Sequence, residues 1–195
     1  KTKAKMVPAV KTVRLTPQGQ RQKILLDANV PQTFLRLLAG LKKRDDALDC
    51  WMRNEKDAYF YLGDTLAEGD VDPSSPWGCL VDQDVTPVYS GGNGDTFILL
   101  LTAKDGTRRF IDFGLEEGLL TDYGPNFQLV LANLVIGIFE FMDEASSDQI
   151  IAIATQLGFV RPKELVEMLE QSSRPTFEAD RAWRAEVLPR LIDGS

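Results

Sequence analysis

Residues 89–114 read YSGGNGDTFILLLTAKDGTRRFIDFG. A glycine-rich loop, residues 90–95, leads into an apolar, β-branched run at 96–103 that has the length and composition of a strand. Asp105-Gly106 supplies a residue pair that accepts the positive φ of a tight hairpin turn. Residues 107–113 then alternate, with Thr107, Arg109, Ile111 and Phe113 on one side and Arg108, Phe110 and Asp112 on the other. Two antiparallel strands joined by a hairpin follow, and residues 80–81 and 87–89 are candidates for further short strands. The fold expected is α+β: an antiparallel sheet of about four to six strands packed with helices, plus a C-terminal helical subdomain.

Outward from this hairpin the chain turns helical. Val30-Pro31 precedes Phe34, Leu35, Leu37, Leu38 and Leu41 at helical spacing, which predicts a helix over 31–42. Leu48, Trp51 and Met52 predict another over 45–53, and 59–62 reads as a short strand or the end of that helix. Residues 63–78, GDTLAEGDVDPSSPWG, have the composition of an exposed, adjustable loop. Asn126 can cap an apolar helix to Met142, and Ser146 with Gln149 forms a capping-box pattern before a helix that Gly158 stops. Pro162 suits the start of the next helix, and Thr176 can cap a last one that Pro189 kinks or ends early. The organisation expected is a basic N-terminal arm at 1–23, an α+β domain at 24–142 and a helical extension at 143–195.

The 195 residues are 44% hydrophobic, enough for a sizeable core without disulfide staples. The net charge of −7 conceals an asymmetry. Residues 1–23 hold seven basic side chains and no acid, leaving 15 basic against 29 acidic residues, a net −14, in the remainder. A basic arm can touch nucleic acid, but an acidic body repels phosphate, so packing onto the chain's own body or remaining solvated is the favoured reading and a nucleic-acid partner is not expected. Cys50 and Cys79 lack metal or disulfide-framework spacing and read as buried or partly buried thiols of a reducing, cytoplasmic compartment. There is no histidine, which removes histidine-based catalytic triads and most transition-metal sites. The most apolar run, residues 129–139, is too short for the ~20 residues that cross a bilayer, and the N-terminal residues lack a signal peptide's apolar core.

Two clusters carry chemistry. The loop at 90–95 looks loosely like a phosphate cradle, but no Lys-Ser/Thr pair and no helix N-terminus follow it, so a turn or bulge is the better reading. Asp82, Asp84, Asp95, Asp112, Glu116 and Glu117 can gather around the sheet edge, where carboxylates hold a cation or do acid/base work. Their spacing matches no calcium loop, and a solvated acidic face explains them more simply. No catalytic residue, metal ligand or cofactor is assigned.

Gly91-Gly92-Asn93-Gly94-Asp95, the apolar strand, the Asp-Gly turn, Arg109-Phe110-Ile111-Asp112-Phe113-Gly114, the later helix beginning near Phe127 and the early Val30-Pro31-Gln32-Thr33-Phe34-Leu35 resemble the SMI1/KNR4 (SUKH) superfamily across residues 31–142. The chain departs from that pattern in its very apolar strand, in Phe110 and Phe113 where the family carries a tryptophan motif, and in some fifty further helical residues. The resemblance implies a non-catalytic protein-binding domain, often an immunity protein that neutralises a bacterial toxin by direct contact. An acidic body would attract a basic toxin domain. The contact surface expected comprises Asp70 and Asp72 of the 63–78 loop, Asn93 and Asp95 of the glycine-rich loop, and the neighbouring acids Asp82, Asp84, Asp112, Glu116 and Glu117. Trp77 and Tyr89 are candidate aromatic anchors, although core packing accounts for both equally well. The alternatives are a structural or adaptor subunit using the 127–142 helix or the C-terminal helices, and a small-molecule or nucleotide enzyme using the glycine loop and nearby carboxylates.

Overall fold

The computed structural model describes residues 13–41, 48, 50–67, 71–142 and 144–194. Among them the chain forms six strands and seven α-helices. The strands are β1 (Arg14–Leu15), β2 (Met52–Arg53), β3 (Asp84–Gly91), β4 (Thr96–Thr102), β5 (Arg108–Gly114) and β6 (Gly118–Gly124). The helices are α1 (Gln18–Asp27), α2 (Gln32–Gly40), α3 (Lys56–Ala67), α4 (Phe127–Phe141), α5 (Ser147–Gln156), α6 (Pro162–Gln171) and α7 (Phe177–Asp193). The α+β class expected from the sequence is the class observed.

The sheet grows from the hairpin. β4 and β5 pair antiparallel from Thr96↔Gly114 to Thr102↔Arg108, and the turn closes with the Ala103 amide donating to the Thr107 carbonyl over 2.9 Å. Gly106 sits at φ +85°, the left-handed region that makes Asp-Gly the suitable pair here. β3 and β6 flank this pair antiparallel. The outer edge of β3 is shared: β1 runs parallel along its start and β2 antiparallel along its end. The sheet is therefore mixed, and the parallel β1 was not foreseen.

Alternation along β4 and β5 divides the core in two. Ile98, Leu100 and Phe110 face α2, α4, α5, α6 and α7, whereas Phe97, Leu99, Leu101, Ile111 and Phe113 face α3 and a short 3-10 helix at Pro76–Leu80. On the first face Phe34 of α2 and Phe110 of β5 both meet Phe127 of α4, with ring centroids 5.1 and 5.0 Å apart. Such pairs each contribute about 0.5–1.5 kcal/mol beyond their buried area. Leu165 of α6 and Leu188 of α7 belong to the same cluster, so the C-terminal helices complete this core. Buried on this face are Phe127, Val130, Leu131, Leu134, Val135 and Ile138, which uses up most of the apolar surface of α4.

Several helix signals act as read. Asn126 accepts from the Gln128 amide at 3.0 Å, Ser146 and Gln149 form the capping box, and Thr176 caps α7. Others differ. Residues 45–47 and 49 of the expected 45–53 helix lie outside the described residues; Leu48 starts a turn and Met52–Arg53 pair with β3 instead, burying Met52. Residues 59–62 lie within α3, which also takes the start of the expected 63–78 loop as far as Ala67. Residues 80–81 end the 3-10 helix rather than forming a strand. Pro189 sits inside α7 without ending it. Cys50 is exposed and Cys79 half-buried.

The described part of the basic arm packs on the body. Arg14 pairs with Asp84 across β1 and β3. Arg21, on α1, donates through Nε to the Pro87 carbonyl at 2.7 Å and through Nη2 to the Val88 carbonyl, and lies 3.6 Å from Glu55. Those carbonyls lie in the stretch of β3 between its pairing with β1 and its pairing with β2, where the ladder leaves acceptors open. Residues 1–12 lie outside the described residues.

Candidate functional site

The sequence-selected residues separate into three places. Asn93, Asp95, Glu116 and Glu117 come together at one end of the sheet. Asp95 lies in the β3–β4 loop, and its carbonyl accepts from the Leu115 amide at 3.0 Å, which ties that loop to the β5–β6 turn carrying Glu116 and Glu117. Trp77 stands beside this turn: its indole donates to the Leu115 carbonyl at 3.0 Å and its ring meets Phe113 edge-on at 5.2 Å. Trp77 is thus half-buried and braces the turn from below. The segment with Asp72 leads into the 3-10 helix that packs on β6, and the Asp72 carboxylate caps the Ser74 amide at 2.8 Å. Asp70 lies outside the described residues.

Asp95, Glu116 and Glu117 are exposed and make no ion pair among the described residues. Three other acids of the sheet and its flanks are paired. At the opposite end of the strands Asp84 meets Arg14, and Asp82 meets Lys104 at 3.1 Å. On the edge strand Asp122 holds Arg109 at 2.8 Å.

The glycine-rich loop between β3 and β4 is shaped by backbone contact. A Cβ on Gly92 would lie 1.9 Å from the Cys50 carbonyl oxygen, so only glycine lets the two backbones meet. The loop's inner side is therefore filled by the chain itself.

Tyr89 and Asp112 occupy the third place, a cleft of about 960 Å3 between the β5–β6 side of the sheet and helices α4 and α7. Alternation along β5 puts Asp112 on the same face as Phe110. Tyr89 reaches that face through a bulge: the register shifts between Pro87 and Tyr89, and Tyr89 ends opposite Ile98. Tyr123 of β6 joins them. Burial pushes the Asp112 carboxyl up to about 6, only partly offset by the Phe113 amide. Burial likewise raises the Tyr89 and Tyr123 phenols, and the nearby Asp112 charge adds to both shifts. Asp112 makes no ion pair among the described residues.

The helical wall of the cleft is held by charge. Arg184 of α7 donates to Asp180 at 2.6 Å and to the Asn133 side chain of α4 at 3.0 Å, and reaches Glu140 at 3.3 Å. Arg174 joins Glu140 at 3.0 Å and Asp180 at 2.6 Å and stacks over Trp183 at 4.8 Å. Trp51 closes one end against Gly137, and its indole nitrogen is buried with no hydrogen-bond partner. No local pattern singles out Tyr123, Trp51, Asn133 or Arg184 as a group, because they come from four separated segments. The one available signal was Asn133, a polar break in the 129–139 apolar run.

No family model matches this chain, and neither a curated protein nor a solved structure does. Among the described residues no group of three metal-ligating side chains could hold a metal ion, and no helix is long and apolar enough to cross a membrane.

Proposed function

We propose that this chain is a non-catalytic protein-binding domain that recognises a basic partner through the acidic end of its sheet, in the manner of an immunity protein neutralising a toxin domain. The observation that carries this reading is the gathering of unpaired acids on two tied loops at one end of the sheet. Asp95, Glu116 and Glu117 lie exposed and without an ion pair among the described residues on two loops locked together by the Asp95–Leu115 hydrogen bond, while Asp82, Asp84 and Asp122 are each matched with a cation. Exposed carboxylates with no cation of their own attract a basic partner. The same field accelerates encounter and selects against acidic partners. The net −14 of residues 24–195 extends the attraction beyond the contact itself. The SMI1/KNR4 resemblance points the same way.

Affinity capture from the native host tests the reading. The expected outcome is retention of one basic protein, whose toxicity on expression is relieved when this chain is co-expressed. Retention of a metabolite and no protein would overturn it.

A further inference from the structure

The cleft between the sheet and α7 combines features that an internal packing defect does not explain. At its floor, Asp112 presents a carboxylate with no cation among the described residues. Tyr89, only 5% exposed, and Tyr123 flank that carboxylate, and Tyr89 makes no hydrogen bond through its hydroxyl among the described residues. At its mouth, Leu119, Leu120 and Phe177 are exposed. An apolar mouth above an aromatic-flanked anionic floor complements a long side chain with an aliphatic stem and a cationic head. Lysine and arginine have that anatomy.

We propose that the cleft receives a lysine or arginine side chain of the partner protein, its stem against Leu119, Leu120 and Phe177 and its charged head on Asp112 between the rings of Tyr89 and Tyr123. This rests on the reading of the chain as a binder of a basic protein and adds a second, deeper contact to the acidic sheet end. The cation supplies the counter-charge that the fold withholds from Asp112, and the two rings add cation–π attraction. With its carboxyl near 6, Asp112 is mostly ionised at pH 7.5 and so carries the charge the head group needs. The cleft's own cations do not satisfy it. Arg184 is committed to Asp180, Asn133 and Glu140, and Arg181 stands exposed on α7.

The test uses the full chain, isotopically labelled, titrated at pH 7.5 with the peptide acetyl-Leu-Arg-Leu-amide and with its citrulline counterpart, which keeps the shape and removes the charge. The arginine peptide is expected to shift the amides of Asp112 and Tyr123 and the Trp51 indole, and to bind about tenfold more tightly than the citrulline peptide. In Asp112→Asn that preference should vanish. Equal affinity for the two peptides, an unchanged preference in Asp112→Asn, or shifts confined to Asp95, Glu116 and Glu117 would each overturn the proposal. Capture of the basic partner separates the two readings. Undiminished capture by Asp112→Asn sinks the cleft contact and leaves the sheet-end reading standing, whereas capture lost in Asp112→Asn but undiminished in a variant with Asp95→Lys, Glu116→Lys and Glu117→Lys does the reverse.

Discussion

Asp112 loses much of its water on entering the fold and gains no cation in exchange. Its folded carboxyl, at about 6, lies above the unfolded value of 3.8, so the folded state holds its proton more tightly. The stability this gives is complete below about pH 3.8 and is lost as pH rises through about 6. Above pH 7 the ionised carboxylate costs about 3 kcal/mol relative to the protonated one. Asp112→Asn should therefore match the wild type at pH 4 and exceed it by about 1–3 kcal/mol at pH 8 in urea unfolding. Tyr89, Tyr123, Asp122, Asp180, Arg181 and Arg184 line the same cleft and are common to both proteins, so the difference isolates Asp112. A variant equally stable at both pH values would contradict the burial of an unpaired charge. Arg21 is the opposite case, a charge whose removal strands acceptors. Arg21→Ala leaves the Pro87 and Val88 carbonyls without their donor and Glu55 without its ion-pair partner, and should cost about 2–4 kcal/mol in the same measurement. A loss below about 0.5 kcal/mol would show that water replaces it.

At the scale of elements, strong local patterns were readable and long-range pairings were not. The β4–β5 hairpin, α2, α4 and the three helices after residue 146 follow from periodicity, caps and the Asp-Gly turn, all of which act within a few residues. β1 and β2 are two-residue strands made only by pairing with β3, and no local signal marks them. α1 is hidden for a similar reason: its QGQRQKILLD sequence has little apolar face, and Arg21 anchors it through a contact more than sixty residues away. Alternation did place Asp112 with Phe110, but the bulge that brings Tyr89 beside them breaks the two-residue period. α7 depends on the Arg174, Arg184, Asp180 and Glu140 cluster, because few of its side chains are buried. Arg174→Ala should accelerate hydrogen exchange in α7 and lower global stability by about 1–3 kcal/mol while leaving β3–β5 protection otherwise in place. Uniform exchange across α7 and the sheet would mean that the helix opens only with the whole core.

Over the whole molecule, charge is distributed by position in the fold. Cations described near the N-terminus are engaged by the chain itself: Arg14 by Asp84, Lys23 by Asp27 and Arg21 by the β3 carbonyls. Composition alone showed the excess of acids; it could not show which were neutralised within the fold and which were not. Asp82, Asp84 and Asp122 fall in the first group, and Asp95, Glu116 and Glu117 in the second. Because these last are exposed, screening should act on them strongly: association with the partner should slow by about tenfold or more between 0.02 and 0.3 M salt, with dissociation little changed. The most direct measurement is the affinity of the captured partner for wild type and for the triple variant Asp95→Lys, Glu116→Lys, Glu117→Lys, at low salt and with unfolding midpoints recorded alongside. The expected result is a loss of about a hundredfold or more at unchanged stability. Equal affinity in the two proteins would contradict recognition through the acidic end of the sheet.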